Sequence, residues 1–307
     1  EDDFIDEDLN LKKYINPDLH DQYIFCSSGT EANMRAIRLA RACNGKSLIG
    51  RFHGGWHGGL DGFLKEHTDN KGVPEQVDNL FKVLPYNDDN CFEQITSDMS
   101  AVIIEPVQGS NPRSDIKEFL HKLREHCAKK NILLIFDEVM TGFGRTGKVF
   151  AGGKEKVVPD LLCLAKGMTG GYLPMAATLT TQSVYDAFLG EYEEFKTFFH
   201  GHSYTGNQLG AAAALASWEL LHQPKAKVRR KAMERILEHE LDSLWALAAV
   251  GDVRREGLVV GVELVADWKT RRAFALKDRA GFRVCEREDD VRDAPETRVF
   301  GEDNVAH

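Results

Sequence analysis

The sequence has few cysteines, and they do not form the close pairs that mark a disulfide framework or a zinc site. They are spread over the whole chain, at positions 26, 43, 91, 127, 163 and 285, without a CxxC pair. Scattered thiols of this kind are typical of reduced core residues in a cytosolic protein. His53 and His57, in HGGWH, have ligand-like spacing, but the two glycines between them disfavour the helix that a zinc pair needs. We therefore expect no metal site.

The chain also lacks an excess of positive charge and any long apolar run. Its 39 lysines and arginines against 48 aspartates and glutamates give a net charge of −9 without a basic stripe, which disfavours nucleic-acid binding. No segment approaches the roughly 20 apolar residues needed to cross a bilayer. The acidic start, EDDFIDEDL, does not resemble a signal peptide. These features predict a cytoplasmic protein with neither nucleic-acid nor membrane partners.

A GxGxxG fingerprint between a strand and a helix is missing as well, which disfavours a Rossmann-type nucleotide enzyme. From about residue 21 to 222 the chain instead alternates short apolar runs with longer amphipathic stretches. This alternation predicts an α/β fold in which helices cover a central sheet. Because the runs are continuously apolar, the sheet should be mostly parallel. The predicted strands are 23–26, 47–50, 101–104, 133–136 and 161–165, and the predicted helices are 31–42, 115–129 and 207–221.

We expect the chain to form a large domain and part of a small one. A short N-terminal segment, 1–20, precedes the large domain, 21–223. In the remainder, a strongly amphipathic stretch at 226–249 predicts a helix, and the apolar run EGLVVGVELV at 256–265 predicts a strand. We interpret residues 224–307 as a partial small α+β domain, whose polar end has too few apolar residues to bury much surface.

Three of the predicted strands end in polar groups that are costly to bury singly. The strand 23–26 runs into Ser28, Gly29 and Thr30 at the start of a helix, where N–H groups, hydroxyls and the positive helix end converge. Such a place binds anions and suits a phosphate. The alternative is an ordinary N-cap, because Glu31 follows Ser28 by three residues as in a capping box.

A carboxylate and an amine follow two other strands in the same way. Asp137 comes directly after 133–136, where it needs a cationic partner or belongs to a structural ion pair at the sheet edge. Lys166 ends the run LLCLA, and an amine in apolar surroundings holds its proton less tightly and becomes nucleophilic.

Ligands of parallel sheets bind at the carboxyl ends of strands, so these groups should meet there. A phosphate site, a carboxylate and an amine together fit pyridoxal phosphate. Its phosphate suits the helix start, its pyridine nitrogen suits the carboxylate, and a lysine can bind its aldehyde as a Schiff base. Trp56 could supply an aromatic face for the ring.

Longer stretches of the sequence resemble the class III pyridoxal-phosphate aminotransferases, a family of fold type I. In family order these stretches are SSGTEANMRAIRLARA, FHGGWHGGLD, IIEP, LLIFDEVMTGFGRTG, PDLLCLAKGMTGGYLP and FFHGHSYTGNQLG. They cover roughly residues 20–265, and the pairing of DEVMTGFGRTG with LAKGMTGG is highly specific. The resemblance implies pyridoxal 5′-phosphate as the cofactor and a fold with a mostly parallel central sheet.

The resemblance also implies a role for particular residues. Lys166 would carry the cofactor and shuttle the proton, and Asp137 would pair with the pyridine nitrogen. It also implies that Gly29 and Thr30 contact the phosphate, and that Ser203 of the neighbouring subunit does so too. Trp56, at a position that is usually tyrosine, and Val139 would contact the two faces of the ring. The active site would therefore be shared across a homodimer.

The two halves of the chain resemble different subfamilies. The front half looks like the glutamate-1-semialdehyde aminomutases. The rear half, with GYLPMAATLTT and EYEEFKTFFHGHSYTGNQLG, looks like the 7,8-diaminopelargonate synthases of biotin biosynthesis, which move an amino group from S-adenosylmethionine to 7-keto-8-aminopelargonate. The rear stretch is longer and more idiosyncratic, which favours the second subfamily. Relative to the family the chain resembles a truncated member, because an N-terminal segment is missing and the pattern is lost after Cys285.

We therefore expect a ping-pong aminotransferase that uses a small-molecule amino donor and a keto or aldehyde acceptor. The alternative of a different class is a truncated protein that folds or binds the cofactor without turnover, because fold and motif do not guarantee a working site. Two further residues have open roles. Glu105 is either a pocket residue or a surface carboxylate at a strand end, and Arg145 is expected to hydrogen-bond within its turn rather than to contact substrate.

Overall fold

The computed structural model describes residues 22–64 and 71–289, with side chains as far as Cys285. Its helices are α1 (Gly29–Asn44), α2 (Glu75–Asp78), α3 (Cys91–Gln94), α4 (Lys117–Lys130), α5 (Ala151–Glu155), α6 (Gln182–Asp186), α7 (Gln208–His222), α8 (Pro224–Asp242) and α9 (Ala280–Asp289). Its strands are β1 (Gln22–Cys26), β2 (Leu48–Phe52), β3 (Phe81–Leu84), β4 (Met99–Ile104), β5 (Leu133–Asp137), β6 (Leu161–Leu164), β7 (Ala176–Thr180), β8 (Val250–Glu256), β9 (Val259–Asp267) and β10 (Arg272–Ala273). No helix among these residues is both long and apolar enough to cross a membrane.

Seven strands form the central sheet, in the order β1-β7-β6-β5-β4-β2-β3. The strands from β2 to β6 pair in parallel, and β7 lies antiparallel to both β6 and β1. Since β7 opposes both neighbours, β1 has the same direction as β6. The prediction of an α/β fold with a mostly parallel sheet is confirmed.

Both faces of this sheet are covered, which is why its strands are continuously apolar. Ile103 of β4 and Ile135 of β5 belong to a buried cluster with α1, where Ala36 is fully buried. The adjacent residues Val102 and Leu134 belong to a second cluster with α4. Because successive side chains of a strand point to opposite faces, each strand buries one set of side chains under each helix layer.

The structure adds two strands to the predicted sheet and shifts the bounds of the strand predicted at 256–265. Strands β3 and β7 were not predicted from the sequence, and β7 completes the antiparallel edge next to β1. The strand predicted at 256–265 is β9 (Val259–Asp267), and the strand before it, β8 (Val250–Glu256), was not predicted. Gly257, with φ of 61°, turns the chain there between β8 and β9, which pair as a hairpin. A positive φ costs glycine no strain, so the hairpin turn falls at this residue.

The helix predicted at 226–249 begins earlier and ends earlier than expected. It is α8, which ends at Asp242 and is followed by a 3₁₀-helix at Ser243–Ala246. None of the residues of α8 is buried, and Val228 and Ile236 on its apolar stripe are exposed. The described residues therefore do not cover this helix face. Strands β8, β9 and β10 form a separate three-stranded sheet, and the division into two domains stays a prediction.

Candidate active site

A cavity of about 1850 Å³ lies at the carboxyl ends of the parallel strands. Residues that follow five of these strands contribute to its wall: Gly29 after β1, Trp56 after β2, Glu105 after β4, Asp137 at the end of β5 and Lys166 after β6. The hairpin of β8 and β9 lines it from another side, through Arg254 and Glu263. The cavity therefore collects the polar strand ends that the sequence placed at one edge of the sheet.

Lys166 follows a strand whose four residues are all buried, as predicted. The lysine side chain itself is exposed on the cavity wall rather than enclosed by apolar groups, because the chain leaves the sheet at Ala165 and begins a 3₁₀-helix. Its backbone has φ of 44°, in the left-handed region that costs a residue with a Cβ about 1–2 kcal/mol. Strain of this kind persists only where surrounding structure enforces it, and it clusters at functional sites.

The turn after Lys166 is held by contacts that require glycine. A Cβ on Gly167 would lie 2.6 Å from the Cβ of Phe143, in the turn GFGRTG. The carbonyl oxygen of Gly167 accepts a hydrogen bond from Oγ of Ser217 on α7, at 3.0 Å. The backbone of Gly167 thus packs against the side chain of Phe143, and this contact helps to fix the position of the adjacent Lys166.

The start of α1 is capped in the way that the alternative interpretation expected. Oγ of Ser28 accepts from the backbone N–H of Glu31 at 3.2 Å, and Oε2 of Glu31 accepts from the N–H of Ser27 at 2.8 Å. The cap does not block the helix end, since Gly29 and Thr30 both line the cavity. The first N–H groups of a helix have no partner within it, so this helix end can both hold its cap and bind an anion.

Gly29 and Thr30 are packed directly against other parts of the cavity wall. A Cβ on Gly29 would lie 2.7 Å from Cγ1 of Val139. Oγ1 of Thr30 accepts from the N–H of Gly59 at 3.3 Å, and a Cβ on Gly58 would lie 2.2 Å from the same oxygen. The helix start, the segment after β5 and the loop after β2 therefore meet at van der Waals distance.

Asp137 is buried and accepts three hydrogen bonds. Its Oδ2 lies 2.8 Å from Nδ1 of His57 and accepts from Nδ2 of Asn33 at 2.6 Å. Its Oδ1 accepts from the N–H of Val139 at 3.0 Å. Nδ2 of Asn33 also donates to the carbonyl oxygen of His57 at 3.0 Å. The partner that the sequence analysis expected as a cation is thus an imidazole, supported by an amide and a backbone N–H.

Trp56 and Glu105 complete the wall between β2 and β4. Trp56 is 50% exposed and lines the cavity. Glu105 is only 6% exposed and also lines it, and its Oε2 accepts from the N–H of Trp56 at 3.0 Å. Of the two roles left open for Glu105, the structure favours the pocket residue.

Six of the seven residues predicted for the site are brought together, and Ser203 is not. Gly29, Thr30, Trp56, Asp137, Val139 and Lys166 all line the cavity. Ser203 is exposed and does not line it within this chain, so its role at the phosphate stays a prediction that requires a second subunit. Arg145 lies outside the cavity lining, and its carbonyl oxygen accepts from the N–H of Leu258 at 2.9 Å, next to the hairpin turn.

Sequence reasoning missed Asn33 and His57 as partners of Asp137. Asn33 lies one turn after Gly29 on α1, a spacing of four residues that places both on one side of the helix. That spacing was the available signal. In the sequence, His57 stands out only through its ligand-like spacing from His53. Within residues 22–64 and 71–289, no group of three or more His, Cys, Asp or Glu side chains could hold a metal ion.

Comparison with known proteins decides the family. The family model described as aminotransferase class-III matches residues 6–291. The chain belongs to the class III aminotransferases. The resemblance stated from the motifs is thereby confirmed, and the remaining comparisons show how far it extends.

Several curated relatives of this class III aminotransferase carry the same enzyme name. The adenosylmethionine-8-amino-7-oxononanoate aminotransferase of Geobacter sulfurreducens is 48% identical over 195 residues, which are 63% of this chain and 43% of that protein. The acetylornithine aminotransferase of Methanopyrus kandleri is 39% identical over 256 residues, 80% of this chain and 62% of that protein. The chain thus matches less than two thirds of the length of either relative. The aminomutase resemblance of the front half stays a prediction.

Solved structures of aminotransferases show the same fold. The crystal structure of adenosylmethionine-8-amino-7-oxononanoate aminotransferase from Methanocaldococcus jannaschii has a TM-score of 0.78 and 32% identity, and covers 91% of this chain and 68% of that one. A transaminase from the marine bacterium Virgibacillus has a TM-score of 0.81 and 26% identity, and covers 94% and 69% of the two chains. The fold of this class III aminotransferase is therefore the one that its motifs implied.

In this class III aminotransferase, Gly29→Ala is expected to destabilise the fold by about 1–3 kcal/mol, because the added Cβ overlaps the side chain of Val139. The measurement is urea unfolding. Gly201→Ala is the matched control, because a Cβ at Gly201 meets no atom within 4 Å, and its effect should stay within about 0.5 kcal/mol. Equal effects of the two substitutions would show that the contact between Gly29 and Val139 is not tight.

Proposed function

We propose that this chain catalyses pyridoxal-phosphate-dependent transamination, and that its substrate class is that of the adenosylmethionine-8-amino-7-oxononanoate aminotransferases. The observation that carries the proposal is the meeting of Lys166, Asp137 and the start of α1 on one cavity wall. The reaction would transfer an amino group from a small-molecule donor to 7-keto-8-aminopelargonate, in the biotin pathway. The identity of 48% to the Geobacter enzyme supports this choice of substrates.

The residues present fit pyridoxal phosphate in charge and in hydrogen-bonding capacity. A carboxylate has about four acceptor sites, and Asp137 uses three of them for His57, Asn33 and Val139. One site therefore remains for the protonated ring nitrogen. The helix start at Gly29 offers N–H groups to a phosphate, and Lys166 supplies the amine that can bind an aldehyde. Trp56 and Val139 supply apolar surfaces for the two faces of a flat ring.

When bound, pyridoxal phosphate supplies an electron sink and a carrier for the amino group. The residues of the chain do the remaining work. Asp137 holds a proton on the ring nitrogen, because a buried carboxylate favours a positive charge beside it. The three hydrogen bonds to Asp137 fix its orientation. The amine of Lys166 accepts the proton that leaves Cα of the amino donor.

The proposed function is tested by following the absorbance of the protein with added cofactor while amino donors are supplied one at a time. S-adenosylmethionine is expected to change the spectrum to that of the amino form of the cofactor, and 7-keto-8-aminopelargonate is expected to restore it. Glutamate-1-semialdehyde serves as the competing donor. A spectrum that no donor changes would support the alternative of a protein that folds without turnover.

We also propose that the protein acts as a homodimer in the cytoplasm. Five aromatic side chains, which we call the aromatic band, are between 72% and 87% exposed: Tyr172, Tyr192, Phe195, Phe199 and Tyr204. An exposed apolar patch marks an interface, and the proposal is that these five side chains form one. Ser203 lies within the sequence of this band, so a second copy bound there could present its hydroxyl to the neighbouring cavity. All six cysteines are free, as expected in a reducing compartment.

Phe199→Glu is expected to convert the dimer into a monomer, because it places a charge within the aromatic band. The measurement is light scattering coupled to size-exclusion chromatography. Trp245→Glu is the control, since Trp245 is another exposed aromatic residue outside the band. If the Phe199→Glu protein has the mass of the unmodified protein, the aromatic band is not the interface.

A further inference from the structure

Glu105 connects two loops at the cavity. Its Oε2 accepts from the N–H of Trp56, at 3.0 Å, in the loop after β2. The N–H of Gly109, in the loop after β4, lowers the pKa of the same carboxyl group. The two loops are also joined by neutral hydrogen bonds, from Nε2 of Gln108 to the carbonyl oxygen of His53 at 2.7 Å and from Oγ of Ser110 to that of Gly54 at 2.9 Å. Three side chains make these bonds, those of Glu105, Gln108 and Ser110, and of the three the carboxyl group of Glu105 is the one that can change its charge.

We propose that Glu105 is a positioning residue whose negative charge holds the loop of Trp56 in place against the cavity. This inference rests on the proposed function in one respect: the loop matters for activity because Trp56 supplies a surface for the cofactor ring. Glu105 acts through Trp56, so the proposal does not require contact between Glu105 and cofactor or substrate.

The surroundings of Glu105 make its charge sensitive to pH near neutrality. The pKa of Glu105 is raised to about 7, mainly by burial and also by the charge of Asp137. His57 opposes this shift, as do the N–H groups of Trp56 and Gly109. Tyr86 also faces Glu105, and burial, with the charge of Glu105, raises the pKa of Tyr86, so the phenol stays neutral in this range.

The direction of the effect follows from linkage. The N–H of Trp56 lowers the pKa of Glu105 because it stabilises the charged form. The charged form must therefore bind that N–H more tightly than the neutral form does. The loop of Trp56 should tighten as the pH rises through about 7 and loosen as it falls. A purely structural role would instead show no pH dependence, and an amide would serve as well as a carboxylate at every pH.

The experiment follows the accessibility of Trp56 in the protein without added cofactor. Acrylamide quenching of tryptophan fluorescence is measured from pH 5.5 to 8.5 in the unmodified protein and in Trp56→Phe, and the difference isolates Trp56 from the other three tryptophans. We expect quenching of Trp56 to fall in one step as the pH rises, with a midpoint at about 7. Glu105→Gln should remove the step, because the amide keeps the acceptor but has no charge.

Substitutions of two neighbours of Glu105 should shift the midpoint of the step in opposite directions. A histidine ordinarily titrates in the same pH range, so His57→Gln shows whether the step belongs to Glu105. Because His57 lowers the pKa of Glu105 and Asp137 raises it, His57→Gln should move the midpoint up and Asp137→Asn should move it down. These opposite shifts still test the proposal if the Glu105→Gln protein fails to fold.

A step that persists in Glu105→Gln would overturn the proposal, and so would shifts of the same sign in the two neighbouring variants. The measurement uses neither cofactor nor substrate. A protein that shows the step but does not transaminate would contradict only the proposed function, whereas a transaminase without the step would contradict only the role of Glu105.

Discussion

Replacing Lys166 by alanine is expected to reduce turnover by about three orders of magnitude or more, because one amine both binds the cofactor and moves the proton. Lys166→Arg should not restore activity, since a guanidinium stays protonated at every accessible pH and cannot accept a proton. The measurement is kcat for transamination with a saturating amino donor. The loss should appear in kcat, whereas the free energy of unfolding should change little, because the side chain of Lys166 is exposed.

Lys148→Ala is the matched control for this prediction. Lys148 is also exposed, and it directly follows the turn GFGRTG but lies outside the cavity lining. We expect its turnover to equal that of the unmodified protein. If the Lys166→Ala protein retained a tenth of the activity or more, Lys166 would not be the catalytic amine.

Asp137→Asn is expected to reduce turnover by about 10²–10⁴-fold while leaving part of the cofactor binding. An amide cannot keep the ring nitrogen protonated as a carboxylate does. It also fits the site poorly, because its NH₂ group must face either the N–H of Val139 or the donors Asn33 and His57, which lie on the other oxygen. In either orientation the NH₂ group therefore faces another hydrogen-bond donor, and a hydrogen bond is lost. The substitution should for this reason also cost about 1–3 kcal/mol of stability.

The control for Asp137→Asn is Asp160→Asn. Asp160 is a half-buried carboxylate outside the cavity lining, where it accepts from Arg124 at 2.8 Å and from the N–H of Leu134 at 2.7 Å. Its substitution should lower stability without lowering kcat. Comparable losses of kcat in the two variants would mean that Asp137 acts through stability and not through the ring nitrogen.

In the central sheet, the strands that the sequence predicted have uninterrupted apolar runs, and the two that it missed, β3 and β7, lack them. Strand β4 has the sequence MSAVII and is buried along its whole length, and its apolar run AVII predicted a strand. Strand β7, AATLT, is equally buried. Small and hydroxyl-bearing residues suffice there because Thr178 bonds to the carbonyl oxygen of Ala32 on α1, at 2.8 Å. The two residues are 146 positions apart in the sequence, so a local hydrophobic pattern cannot predict this contact.

In the site, too, the features that depend on local sequence could be predicted, and those that depend on distant contacts could not. Gly29, Asp137 and Lys166 could be placed because each follows a strand, and strand ends of a parallel sheet converge. The bonds from Asp137 to Asn33 and His57 join residues that are 104 and 80 positions apart. Only the strand order brings them together. The same holds for Glu105, whose two possible roles differ only in burial.

The measurement that tests the central claim most directly is an absorbance spectrum of the purified protein with added pyridoxal phosphate, compared with that of the Lys166→Ala variant. A covalent bond between Lys166 and the cofactor predicts a band near the visible edge in the unmodified protein that is absent from the variant. If both proteins gave only the spectrum of free cofactor, the claim that this cavity holds pyridoxal phosphate through Lys166 would be contradicted.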